Sequence, residues 1–133
     1  MDDSIQIILA LGSNSQQKLN IDKAKSMLVA LLGNICFSKN IWTHPIGISS
    51  NDFLNCLAIS QTTLSLDALE MELKMIEKSC GDSPLKRKKN VVKMDIDILK
   101  YGTIILHEKD WKRSYVKELL QELLEKQKKE NMI

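Results

Sequence analysis

Polar and apolar side chains alternate in Lys93-Met94-Asp95-Ile96-Asp97-Ile98-Leu99. On an extended strand, residues two apart project from the same face, with Cα atoms roughly 6.5–7 Å apart. Met94, Ile96 and Ile98 then share one face, and Lys93, Asp95 and Asp97 share the other. Adjacent like charges destabilise a strand unless something positive lies over them. Hard oxygen donors on a rigid element suit Mg²⁺, which takes one or two carboxylates and fills its shell with water and phosphate oxygens. The same spacing also admits a half-solvated strand whose outer face is acidic, because an Asp-x-Asp triplet is a weak signal.

The elements that must position this pair can be read from periodicity. Ile5, Ile7, Leu9 and Leu11 alternate along a strand, and Ile8 on its opposite face predicts a central strand covered on both sides. Gly12-Ser13-Asn14 end it with turn residues. Ile21, Ala24, Leu28 and Leu31 recur at helical spacing before Gly33-Asn34. Ile35, Phe37, Ile41 and Trp42 predict one second strand, and Phe53 to Thr62 a third. Ser65 is placed to cap a helix with Asp67 in its first turn, an apolar stripe of Leu66, Leu69, Leu73, Ile76 and Cys80, and Gly81 at its end. Residues 82–90 predict a charged loop carrying Lys86-Arg87-Lys88-Lys89. A fourth strand over Val91 to Leu99 follows, then an edge piece over Thr103 to Leu106. The last element is a helix over about 110–128, with Val116, Leu119, Leu120 and Leu123 inward. The order βαββαβ plus a C-terminal helix predicts an α+β sandwich, with helices on one face of a mainly antiparallel sheet.

A length of 133 residues fits a single domain over 1–133, and an apolar fraction of 44% allows a core. Nineteen basic against seventeen acidic residues are too balanced to argue for nucleic acid or an anionic membrane. An RNA-binding sheet would need exposed aromatics, and only 5% of residues are aromatic. Cys36, Cys56 and Cys80 lack the spacing of a zinc site or a disulfide framework and read as small apolar residues in a reducing compartment. The acidic start Met1-Asp2-Asp3-Ser4 lacks the positive charge of a signal peptide, and no apolar run reaches the roughly 20 residues of a membrane span. The expectation is a cytoplasmic protein with neither membrane nor nucleic acid as partner.

Gly12-Ser13-Asn14, Thr43-His44-Pro45-Ile46-Gly47, Asp52-Phe53-Leu54-Asn55 and Asp95-Ile96-Asp97-Ile98 occur in this order. The ordered set, running from about Ile5 to Gly102, resembles the 6-hydroxymethyl-7,8-dihydropterin pyrophosphokinase family. Members of that family move pyrophosphate from ATP to a pterin alcohol in folate biosynthesis, releasing AMP. The resemblance implies a ferredoxin-like fold, in agreement with the element order. It also implies ATP and hydroxymethyldihydropterin as ligands, with Asp95 and Asp97 as the catalytic pair holding two Mg²⁺ ions against the ATP phosphates. Thr43, Pro45 and Ile46 would wall the pterin pocket, with Phe53 against the ring and Tyr115 covering it. Asn55 both donates and accepts hydrogen bonds and would read the pterin's amide edge. Glu77, Arg87, Lys88, Arg113 and His107 would lie on the nucleotide side. Gly12 to Asn14 are expected to shape a turn without touching a ligand.

The chain departs from the family pattern in two places. The tryptophan and the arginine that usually stand just before the Asp-x-Asp strand are missing, and Lys86-Arg87-Lys88-Lys89 either replace the positive charge or form a solvated basic loop. Lysine lacks arginine's bidentate fork for phosphate. The C-terminal part is shortened, with Lys112-Arg113-Ser114-Tyr115-Val116 matching only the later of two family segments. These departures motivate a second expectation, a catalytically impaired relative that binds nucleotide or pterin, or acts through a protein partner.

Overall fold

A computed structural model describes residues 3–131 of the chain. β1 (Ile5–Ser13) runs between β4 (Phe53–Thr62) and β5 (Asp95–Tyr101), antiparallel to both. β2 (Ile35–Phe37) and β3 (Ile41–Thr43) both pair with β4, and β6 (Ile104–Ile105) pairs with the outer side of β5. With β2 and β3 taken as two halves of one strand, β1 is central and the βαββαβ order closes as a ferredoxin-like α+β sheet.

Alternation along β1 feeds two cores. Ile7, Leu9 and Leu11 pack with Cys56, Ala58, Ile96 and Ile98 beneath α1 (Gln17–Leu32) and α2 (Leu66–Ser79). Ile8 faces the other way and packs with Leu57, Ile59 and Leu99. Burying each such side chain contributes about 1.5–3 kcal/mol, so that second face also demands a cover. Val116, Leu119 and Leu123 of α5 (Ser114–Asn131) supply it. Helices therefore lie on both faces of the sheet, not on one as the element order suggested. The turn to the far face is pinned by Trp111, whose indole N–H donates to Leu99 O at 3.2 Å and Leu106 O at 3.0 Å.

Four boundaries differ from the sequence pattern, each for a local reason. The expected second strand breaks between β2 and β3. There Ser38 N–H donates to Leu57 O and the Ser38 hydroxyl accepts from Leu57 N–H, both at 2.9 Å, which fills the ladder. The charged loop contains α3 (Pro84–Lys88), with Pro84 opening it and the Ser83 hydroxyl accepting from Lys86 N–H at 3.2 Å. The C-terminal helix is two pieces, α4 (Glu108–Trp111) and α5, separated at Lys112-Arg113.

β5 starts at Asp95 rather than Val91 because Asn14 captures the preceding segment. Asn14 N–H donates to Val92 O at 2.9 Å, its Oδ1 accepts from Val92 N–H at 2.7 Å, and its Nδ2 donates to Asn90 O at 2.9 Å. Asn14 is buried, so its partners have little water to turn to. Asn14→Ala should lower unfolding free energy by about 1–3 kcal/mol, by stranding the Val92 N–H and the Asn90 carbonyl. Urea denaturation checks this: an unchanged midpoint would show that the clamp contributes nothing.

Candidate functional site

α5 covers the Ile8, Leu57 and Ile59 end of its sheet face and leaves the other end open. The register decides what lies there. Gly12 is paired with Asn55 on one side and Asp95 on the other, while Ala10 is paired with Leu57 and Asp97. One row across three strands therefore reads amide, glycine, carboxylate. A Cβ at position 12 would stand 3.1 Å from Asn55 Oδ1 and 3.7 Å from the Phe53 ring. Gly12 is thus needed for its smallness as part of the cleft floor, beyond the turn role expected for it.

Asn55 is held by its Nδ2, which donates to Thr43 Oγ1 at 2.8 Å and lies 3.4 Å from Ile41 O and Phe53 O. A nearly buried amide with its donor side fixed presents its carbonyl in one orientation. Around it opens a first cleft of about 740 Å³, lined by Thr43, Pro45, Ile46, Phe53, Asn55 and Tyr115. Ile46 stands exposed at its mouth with Trp42 and Ile48. A second cleft of about 810 Å³ lies beside α2 and α3, lined by Glu77, Arg87, Lys88 and His107. Asp95 and Asp97 line both clefts and form their common wall. Arg113, expected on the nucleotide side, lines the first cleft and sits 3.5 Å through Nε from Asp110 Oδ1.

The common wall is strongly acidic. Burial, then the neighbouring Asp95 carboxylate, then Asp110 and Glu77 push the Asp97 carboxyl up to about 7. His107 Nε2 lies 3.8 Å from Asp97 Oδ1, and Asp97, His107 and Asp110 each bring one ligand atom within 4.8 Å of the others. Glu77 holds the strand between the two aspartates: its Oε2 accepts from Ile96 N–H at 2.7 Å. Burial raises the Glu77 pKa and this bond opposes the rise. Asp97 and Glu77, both held toward their acid forms, mark a wall short of positive charge beyond Arg87. Its oxygen donors on one strand fit Mg²⁺ carried in with phosphate.

The family described as 7,8-dihydro-6-hydroxymethylpterin-pyrophosphokinase matches the chain over residues 8–125. The chain belongs to this family. It is also 29% identical over 136 residues to the folate synthesis bifunctional protein, mitochondrial, of Arabidopsis thaliana, covering 90% of this chain and 23% of that protein. The chain thus spans less than a quarter of that relative. Among the described residues no helix is long and apolar enough to cross a membrane.

The structure gathers the residues expected on the pterin side at the first cleft and Glu77, Arg87, Lys88 and His107 at the second, and it adds three residues that the sequence did not single out. Asp82 binds Arg87 from a nearly buried position, Asp110 adds to the charge around Asp97, and Gly12 makes room for Asn55. Asp82 was visible only as an acid beside a basic run, and Asp110 as an acid three residues after His107. Two expected cations are occupied elsewhere. Lys86 Nζ donates to Gly81 O at 2.7 Å, and Lys93, expected beside the aspartates, donates to Gln16 Oε1 at 2.8 Å.

The raised Asp97 pKa carries a stability consequence. The folded chain keeps this proton up to about pH 7, whereas an ordinary aspartate releases it at 3.8. Between those limits the native state binds more protons than the unfolded one, so stability from this group is full at low pH and is lost as pH rises toward 7. Asp97→Asn should match the parent's stability near about pH 4 and exceed it near about pH 8, each read by urea denaturation in metal-free buffer. Equal differences at both pH values would contradict the assignment.

Proposed function

We propose that the chain is a single pyrophosphokinase-like domain that transfers pyrophosphate from ATP to 6-hydroxymethyl-7,8-dihydropterin, giving AMP and the pterin diphosphate. The observation that carries this reading is the shared wall. Asp95 and Asp97 line a cleft with an oriented amide and apolar walls and, from the other side, a cleft with basic side chains. Membership of the family and the match to a protein of folate synthesis support it.

In this reading the pterin enters the first cleft, where Phe53 and Tyr115 flank the ring and Asn55 reads its amide edge. ATP enters the second, beside Glu77, Lys88, His107 and Arg87. Two Mg²⁺ ions, when bound at Asp95 and Asp97, neutralise the phosphate charge. Phosphoryl-type transfer rests mainly on such neutralisation and on positioning. The pterin hydroxyl oxygen then bonds to the β-phosphorus while the bond from that phosphorus to the α-phosphate oxygen breaks. Holding Asp95 and Asp97 on a strand gripped by Glu77 fixes the edge where the two clefts meet, which is where the acceptor hydroxyl and the β-phosphorus must come together. Tyr115 is half-buried, and its desolvated phenol stays protonated, so it flanks the ring without adding charge.

The impaired-relative reading draws on the basic loop. Lys86 is tied to Gly81 O, and Arg87 is engaged by Asp82 and Asp95, which leaves few cations free for phosphate. An assay with ATP, Mg²⁺ and the pterin alcohol separates the readings. The enzyme releases AMP only when pterin is present, whereas stray hydrolysis would release ADP. Pterin binding without pterin-dependent AMP would leave a binding protein. Asp97→Ala should abolish the metal-dependent part of nucleotide affinity without loss of fold, measured by calorimetry with an ATP analogue. Asn55→Leu should weaken pterin binding by about 1–3 kcal/mol and leave nucleotide binding alone, since an unpaired heterocycle amide loses its hydrogen bonds. Equal losses for both ligands would make Asn55 purely structural.

A further inference from the structure

Arg87 is held by partners of two different kinds. Its Nε donates to Asp82 Oδ2 at 2.8 Å, and its Nη2 donates to Met94 O at 3.1 Å and Asp95 Oδ1 at 3.2 Å. Glu77 Oε2 stands a further 4.0 Å from Nη2. One guanidinium thus faces three carboxylates. The Asp82 side chain is 9% exposed, and its Oδ1 is buried without a hydrogen-bond partner among the described residues. A buried carboxylate with half of its acceptors unmet is unfavourable unless a cation stays on it. Arg87 is that cation, and the Asp82 end of the contact is fixed. The Asp95 side chain is 37% exposed, and it is one of the two groups on the common wall. Ion pairs in such partly solvated positions are weak and exchange readily. The fork therefore pivots at Nε while its tip rests on an exchangeable partner.

The local sequence explains why the pivot is stiff. Ser83 caps α3 and Pro84 opens it, so one helical turn sets Arg87 against Asp82 five residues earlier. A lysine could not hold both partners, because it lacks a second donor arm in a fixed fork. Two neighbouring cations do not compete: Lys86 and Lys93 are bound to Gly81 O and Gln16 Oε1.

We propose that Arg87 is a displaceable counter-ion: anchored on Asp82, it neutralises Asp95 in the nucleotide-free protein and gives its fork to the incoming polyphosphate. Divalent metal is then taken up together with nucleotide and not before it. This rests on the nucleotide reading of the second cleft for its second half only. Competition between Arg87 and a metal for Asp95 needs no nucleotide.

Calorimetry on the full chain tests the two halves separately, with Mn²⁺ alone as one probe and Mg²⁺ with a non-hydrolysable ATP analogue as the other. Arg87→Gln should raise affinity for Mn²⁺ alone about fivefold, the scale of one partly exposed ion pair. The same variant should lower affinity for the Mg²⁺–analogue complex about tenfold, through loss of a charge-assisted bidentate contact. A purely structural clamp would move both affinities downward, and that result overturns the proposal. So does unchanged Mn²⁺ affinity, or a gain for Mn²⁺ with no loss for the analogue. Should Arg87→Gln fail to fold by circular dichroism, Arg87→Lys, which cannot hold both partners, must shift Mn²⁺ affinity in the same upward direction, or the proposal falls. A parent chain that binds no analogue at all would instead remove the nucleotide reading of the cleft, while the Mn²⁺ comparison still judges Arg87 as counter-ion to Asp95.

Discussion

The antiparallel register of β1 against β4 and β5 is the constraint on which the rest depends. It puts Gly12 between Asn55 and Asp95, and Ala10 between Leu57 and Asp97. Side chains on a strand repeat with a period of two, so a slip of one residue would move every one of them to the wrong face. The apolar set prevents that slip. Ile7, Leu9 and Leu11 are locked beneath α1 and α2, and Ile8 beneath α5. The polar row is therefore positioned by the apolar residues packed on either side of the sheet, and its precision is that of the hydrophobic core.

Electrostatics works against the core at one end of this arrangement. Asp95, Asp97, Glu77, Asp82 and Asp110 gather within reach of one another, and Arg87 is the cation that bridges most of them. Desolvation lowers the Arg87 pKa, but its bonds to Asp82 and Asp95 prevail and raise it, so it stays charged. Asp97 meets no arginine among the described residues, and burial beside Asp95 raises its pKa instead. A chain evolved only for stability would not keep this group of acids together. Their concentration where two clefts meet is consistent with a site that is completed by positive charge from outside.

How much of this was legible in the sequence depended on the range of the interaction. Periodicities of two and 3.6 gave β1, β4 and α2 closely, because alternation and the Ser65 cap are local signals; the Ser65 hydroxyl does accept from Ala68 N–H. The carboxylate pair on one face was visible for the same reason. What failed was set by contacts distant in sequence. The late start of β5 depends on Asn14 binding Val92, 78 residues away. The far-side position of α5 depends on the Trp111 indole reaching the end of β5. Arg113 was expected on the nucleotide side from the match of Lys112-Arg113-Ser114-Tyr115-Val116 to a family segment, and the structure places it in the lining of the first cleft. The role of Gly12 could not be seen, because it depends on Asn55 being its cross-strand partner.

The wall formed by Asp95 and Asp97 has a further consequence. Two compartments that share a charged partition cannot be filled independently. Whatever neutralises the partition from one side alters the field that the occupant of the other side meets, across a single β-strand. Thermodynamic linkage then requires reciprocity: the free energy by which the first occupant assists or opposes the second equals that by which the second acts on the first. In the proposed reading, cooperativity between two chemically unlike ligands follows from the thickness of one strand, with no need for a moving domain to transmit it.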